Sequence, residues 1–240
     1  MRALLTALLF AVTAQLTSAE TATEPSRISA GHISVIEADF INADTKQKAR
    51  MLCAGCHGED GSGDRAYGPD SNWGTPMIRG LKADYVQQQL KRYRSGERIQ
   101  SSTSGQPGEM NQIMASDALD DAVVSELAKY YASLGQLPLH DAPRAHLSSD
   151  EKASFDRGEA AFNQQCIACH GAKGQGLADT PYPHLAGQIA IYVEKRLAFY
   201  GKDTSTQPPL LMTAILNASP LTKPQIQDIA LYLENLVGPR

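Results

Sequence analysis

Near the end of the chain, Ile226, Ile229, Ala230, Leu233 and Val237 recur with the 3.6-residue period of a helix buried along one face, predicting a helix over Pro224 to Leu236. Pro224 suits its first turn, where no backbone N–H is needed. Asp121 to Leu134 predicts a matching helix earlier in the chain. Two more are predicted over Lys82 to Tyr93 and Ile189 to Tyr200, from Tyr85, Val86, Leu90 and Tyr93 in the first and Ile189, Tyr192, Val193, Leu197 and Tyr200 in the second. Ser148 with Glu151 three residues later predicts a reciprocal cap, opening a helix whose end carries Cys166 to His170. No stretch alternates apolar and polar positions as a half-buried strand would, so the predicted class is all-α.

These elements are written twice. Pro76, Gly80, Tyr85, Leu90 and Tyr93 reappear at one constant spacing as Pro183, Gly187, Tyr192, Leu197 and Tyr200. A second block, Met110, Ile113, Leu119, Leu127, Ala128 and Tyr130, reappears at its own constant spacing as Met212, Ile215, Leu221, Ile229, Ala230 and Tyr232. Internal duplication with loops of different length accounts for both blocks. Between the copies, Gly135 to Pro143 holds two prolines and a glycine and reads as a linker. The predicted organisation is domain one at 44–135, a linker at 136–147 and domain two at 148–240.

Ahead of the first copy, Arg2 precedes the apolar run Ala3 to Val12, and the small residues Thr17, Ser18 and Ala19 offer a cleavage site before Glu20. Residues 1–19 are therefore predicted to be a cleaved signal peptide, and the protein to be exported to the periplasm. A membrane anchor fits less well, because the run is broken by Thr6, Thr13 and Gln15 and falls short of the ~20 residues of a spanning helix. Residues 20–43 form an N-terminal extension whose apolar Ile33, Val35, Ile36, Phe40 and Ile41 predict packing on domain one or on a partner. The remainder suits two domains of about 100 residues each. A formal charge of −4, with the acidic excess mainly in the first half, disfavours nucleic acid and anionic membrane as partners. Contact with a membrane is expected only through protein partners.

All four cysteines lie in two copies of one pattern, Cys53-Ala54-Gly55-Cys56-His57 and Cys166-Ile167-Ala168-Cys169-His170. Sulfurs three residues apart, about one helical turn, reach the two vinyl groups on one porphyrin edge, and the next residue delivers an imidazole to the iron. The pattern therefore predicts two covalently bound haem c groups, on Cys53 and Cys56 and on Cys166 and Cys169, with His57 and His170 as iron ligands. Zinc, the competing use of CxxC, needs four ligands gathered together and gives no reason for a histidine after each pair. Thioethers then replace disulfides as covalent staples in an oxidising compartment.

The sixth iron position separates electron carriage from chemistry on a substrate. Met110 and Met212 occupy the same register of the repeat and are the predicted ligands. Met114 aligns with Leu216 and reads as packing, while Met51 and Met77 face Gln164 and His184 and form no matched pair. Pro76 and Pro183 either supply carbonyl acceptors for the other ring nitrogens of His57 and His170 or simply end loops. Arg79, Arg92 and Arg94 are candidates for haem propionates or for a solvated surface. His32, His140, His146 and His184 read as solvated or locally hydrogen-bonded side chains, and Trp73, without a repeat partner, either covers a haem edge or fills its loop.

Together, CAGCH with Met110, CIACH with Met212, the segment Pro183 to Gln188 and the ending from Leu221 to Leu233 resemble the di-haem cytochrome c4 family over most of residues 44–238. The resemblance implies two tandem class I cytochrome c folds carrying electrons between respiratory partners, such as a cytochrome bc complex as donor and a terminal oxidase as acceptor. It does not imply an enzyme. Two other readings share the two-haem build: the cytochrome subunit of a dehydrogenase, for example one oxidising sulfide, and a di-haem peroxidase, which needs an open iron. Gly158 and Phe162 resemble the close helix-crossing positions of class I folds, whereas the first copy has Thr45 and Ala49 there. The serine- and glycine-rich loop Gln100 to Gly108, longer than its counterpart, is expected to be mobile beside Met110.

Overall fold

The computed structural model describes residues 39–64, 74–98, 108–201 and 210–237. Trp73, His32 and nearly all of the Gln100 to Gly108 loop fall outside them, as do the predicted signal peptide and most of the extension. Among the described residues the elements are helical, joined by loops with two isolated β-bridges.

In the first half, α1 (Thr45–Ala49) runs through a π-helical turn (Arg50–Ala54) into α2 (Gly55–His57). It is followed by α3 (Ala83–Arg94), α4 (Glu109–Met114) and α5 (Asp121–Ser133). The second half repeats the order as α6 (Ser149–Gln165), α7 (Ile167–His170), α8 (Ala190–Tyr200), α9 (Leu210–Ala218) and α10 (Lys223–Asn235). The predicted helix bounds hold to within a residue or so. The exception is the helix expected to run unbroken to His170: it stops at Gln165, and Cys166, at φ −116°, offsets α7 from α6.

Side-chain capping explains where α1, α5, α6 and α10 begin. Asp44, Ser148 and Thr222 each close a reciprocal cap, with Gln47, Glu151 and Gln225 respectively, and the Asp120 carboxylate accepts from Val123 N–H at 2.8 Å. The Ser148–Glu151 cap is the predicted one. Thr222 moves the start of the last helix one residue earlier and leaves Pro224 in its first turn.

The second core is built on the crossing of α6 and α10. Phe155 and Phe162 flank the Tyr232 ring at 5.0 and 5.5 Å between centroids. Gly158 lets the backbones touch: a methyl group there would lie 2.0 Å from the Asp228 carbonyl oxygen. Across the same contact the Asp228 carboxylate accepts two bonds from Arg157 (2.8 and 2.9 Å) and one from the Ser154 hydroxyl. Gly158→Ala is expected to force the helices apart at a cost of about 3 kcal/mol, read as a lower denaturation midpoint of the holoprotein. An unchanged midpoint would show that the crossing has slack.

The first half solves the same crossing differently. Where α6 offers Phe162, α1 offers Ala49, buried against Val124, Leu127 and Tyr131 of α5. Phe40, from the segment ahead of α1, is buried in that same cluster and supplies the missing aromatic bulk. The adjacent Ile41 remains exposed.

The two halves meet on polar and apolar contacts. The Lys82 ammonium donates to the carbonyls of Leu177 and Thr180, and Gly74 admits Ile189 and Ile191 so closely that a methyl group would sit 2.7 Å from Ile191. The connecting segment is anchored to the second half, with His140 N–H donating to Leu236 O (2.8 Å) and Leu147 buried in its core. His184 is buried in the joint, and burial pushes its imidazole down to about 4 against the opposing effect of a hydrogen bond to the Gly80 backbone. The folded value lies below the unfolded 6.5, so this contribution is complete above pH 6.5 and is lost as the pH falls towards 4. The loss is expected to reach about 3 kcal/mol at pH 4 relative to His184→Gln, measured by denaturation of both proteins across that range. Identical pH profiles would contradict it.

Candidate functional site

His57 ends α2 and His170 ends α7, and the backbone around them is copied almost bond for bond. After each histidine comes a glycine in a left-handed conformation, Gly58 at φ 80° and Gly171 at φ 81°. The chain then turns back, the histidine carbonyls accepting from Gly63 N–H (2.8 Å) and Gly176 N–H (2.7 Å). Gly61 O accepts from Ile78 and Arg79, as Gly174 O does from Leu185 and Ala186. At its far end each loop is bonded to the closing helix, Gly80 N–H to Tyr131 O and Gly187 N–H to Leu233 O. A methyl group on Gly80 would lie 2.5 Å from the Gly135 carbonyl carbon, so the close approach requires glycine.

These loops place the carbonyls of Pro76 and Pro183 at the Nδ1 edges of the two rings. His57 Nδ1–H donates to Pro76 O at 2.8 Å and His170 Nδ1–H to Pro183 O at 2.9 Å. Of the two roles open to the prolines, the structure selects the carbonyl acceptor. With Nδ1 as donor, Nε2 carries the lone pair. Burial holds both imidazoles below their ordinary value, outweighing the carbonyl bonds, so both are neutral and competent as metal ligands at pH 7.

Cys53 and Cys166 are half-buried, and burial pushes both thiols up to about 11. Among the described residues, no group of three or more His, Cys, Asp or Glu side chains is clustered as a metal cage requires.

Met110 and Met212 take the same place in their halves, in the first turn of α4 and of α9, each half-buried. One turn later Met114 and Leu216 are buried in the cores, as expected of packing residues. Met51 is 48% exposed, and Met77 is fully buried at the joint. His140 makes the expected local bond, accepting from Ala142 N–H, whereas His146 pairs with Asn235 of α10, far from it in the chain.

The residues near the joint fit a cofactor that brings its own carboxylates. Arg98 lies on the Tyr93 ring at 4.7 Å and donates to the Tyr192 hydroxyl of the other half at 2.7 Å. Arg196 lies on the Tyr200 ring at 4.5 Å. Burial would raise the Tyr192 phenol, but the two guanidinium groups bring it below its ordinary value. Among the described residues, Arg92, Arg98 and Arg196 each have a buried Nε without a hydrogen-bond partner, and the Glu97 carboxylate stands 3.8 Å from Arg92. Their other nitrogens are held by the neutral oxygens of Gln89, Tyr192 and Tyr200, so the positive charge gathered there fits the propionates of a haem.

Of the arginines singled out in sequence, Arg79 is taken by Asp60 and the carbonyls of Leu134 and Gly135, and Arg94 by Asp121 and Leu119 O. Arg98 and Arg196 escaped sequence reasoning. Arg196 shares a helix face with Tyr192 and Tyr200, a legible signal, whereas Arg98 is brought in only by tertiary folding.

A family model described as Cytochrome c matches residues 43–135 and again 155–237. The chain is 32% identical over 188 residues to cytochrome c-552 of Acidithiobacillus ferridurans, covering 77% of this chain and 73% of that one. It is 32% identical over 193 residues to the thiosulfate dehydrogenase electron acceptor of Stutzerimonas stutzeri strain A1501, covering 78% and 80%. Its fold is similar to that of reduced recombinant cytochrome c4 from Pseudomonas stutzeri, with a TM-score of 0.59 and 25% identity over 80% of this chain and 96% of that one.

Proposed function

Since this chain belongs to the cytochrome c family and carries the family's domain twice, with two covalently bound haem c groups, we propose that it is a periplasmic carrier whose two irons are each held by a histidine and a methionine. The observation that carries the proposal is the matched pair of buried imidazoles, Nδ1 bonded to Pro76 O and Pro183 O, in halves that each set a methionine in the first turn of the corresponding helix. Cys53 and Cys56 hold one haem and Cys166 and Cys169 the other. His57 with Met110, and His170 with Met212, complete the two irons.

When bound, each haem iron stores one electron by passing between ferric and ferrous states. The protein's part is to fix the ligands and the charge around them. The proline carbonyls orient the imidazoles and raise their basicity, stabilising ferric iron, while neutral thioether sulfur favours ferrous iron. Arg98, Arg196 and Arg92 offset propionate charge at the joint between the halves. Two protein ligands on each iron leave no position for a substrate, so the chain carries electrons and is not an enzyme; a peroxidase would need an exchangeable position.

Export is supported by the apolar run Ala3 to Val12 and the small residues before Glu20. Among the described residues, no helix is long and apolar enough to cross a membrane. The partners are redox proteins, a cytochrome bc complex as donor and a terminal oxidase as acceptor. Similarity to a protein named as the electron acceptor of thiosulfate dehydrogenase favours a second reading, in which a dehydrogenase of a reduced sulfur compound is the donor. Stopped-flow reduction by each donor separates the two readings. Optical and magnetic spectra of the ferric protein test the core of the proposal: sulfur is expected on both irons, and a water-bound or doubly imidazole-bound iron would overturn it.

A further inference from the structure

The peptide bond between Pro76 and Met77 is engaged on both of its polar ends. Its carbonyl accepts from His57 Nδ1–H at 2.8 Å. Its N–H donates at 2.8 Å to Oε1 of Gln188, which comes from the loop of the other half. The Gln188 amide completes the clamp by donating from Nε2 to Met77 O at 3.0 Å, while its Oε1 also accepts from Ile189 N–H at 3.0 Å. These contacts fix the amide orientation. Gln188 is 5% exposed and Met77 fully buried, so water does not compete for either.

A peptide group is a resonance system, and an acceptor on its N–H shifts electron density onto its carbonyl oxygen. A more negative Pro76 oxygen pulls harder on the His57 proton and makes the imidazole a stronger donor at Nε2. We propose that Gln188 is a positioning residue for the first haem, acting from the second domain through the Pro76–Met77 peptide and His57 to stabilise ferric iron. The repeat makes the device one-sided. The position corresponding to Gln188 in the first copy is Leu81, a buried hydrocarbon with no amide to offer the Pro183–His184 peptide. Two haems with the same ligands are thereby made unequal, the first held at the lower potential of the pair by this relay, and its setting depends on the joint staying closed.

This inference rests on His57 being the ligand of the first iron, and the test keeps the two apart. In the full-length holoprotein, Gln188→Leu is expected to move the ferrous–ferric equilibrium of the first haem about threefold towards ferrous, with the second haem unmoved, in a two-wave redox titration. Gln188→Glu retains an acceptor on the Met77 N–H and is expected to move it the opposite way, and the His57 Nδ1–H resonance of the reduced protein should shift in opposite senses in the two variants. Simple loosening of the joint would move both variants alike. Opposite shifts confined to the first haem support the relay. Shifts of the same sign, or equal shifts at both haems, or none, overturn it while His57 ligation stands. A wild-type spectrum lacking imidazole on the first iron overturns the proposed function itself.

Discussion

Met212→Ala is expected to lower the potential of the second haem by on the order of 0.1 V, a modest part of the ~0.8 V over which axial ligands tune haem iron. The direction follows from losing a soft, neutral donor that favours ferrous iron and admitting water or another hard donor in its place. The same change opens that iron to carbon monoxide, and the first haem should keep its potential and remain closed. The fold tolerates the substitution because Met212 is only half-buried, while its helix is anchored by Thr213 and Leu216, which are buried. Spectroelectrochemistry with and without carbon monoxide checks both halves of the expectation. A second haem with unchanged potential and no affinity for carbon monoxide would remove Met212 from the iron.

Replacing Cys166 and Cys169 together by serine is expected to have the second large effect, halving the haem that stays on the denatured chain. Serine preserves the local helix and polarity but forms no thioether, so the haem of the second half becomes extractable while that of the first stays. Mass spectrometry of the intact denatured chain is expected to count one haem in place of two. The folded second half should also lose most of its stability, since a covalent group that fills its core becomes one that can dissociate. Two haems retained under denaturing conditions would place the attachment elsewhere.

Much of this was legible from residue order alone, for a physical reason. Helical period, the Ser148–Glu151 cap and the Cys-Cys-His spacing are all relations within one or two turns, where neighbours in sequence are neighbours in space. Duplication extended that reach, because matching Met110 with Met212 and Pro76 with Pro183 identified pairs that a single copy would have left among ordinary core and loop residues. Local rules failed where a longer-range fit decided. Cys166 breaks the helix that the sequence predicts to continue to His170, and Ala49, small where the second copy has Phe162, is made good by Phe40 from outside its own helix. The arginines show the same limit, since Arg79 and Arg94 turned out to brace loops while Arg98, unremarked in sequence, became buried against Tyr93 and Tyr192.

By itself, then, the sequence determined the all-helical class, the duplication and the two CxxCH motifs proposed to fasten the haems, because each depends on spacings of a few helical turns or less or on comparison of one copy with the other. Only the tertiary structure decided that Pro76 and Pro183 turn their carbonyls to the histidines, that three guanidinium groups gather near the joint, and that Gln188 of one half clamps the peptide above His57 of the other. Those contacts join residues far apart in the chain, and their geometry exists only once the two halves have packed.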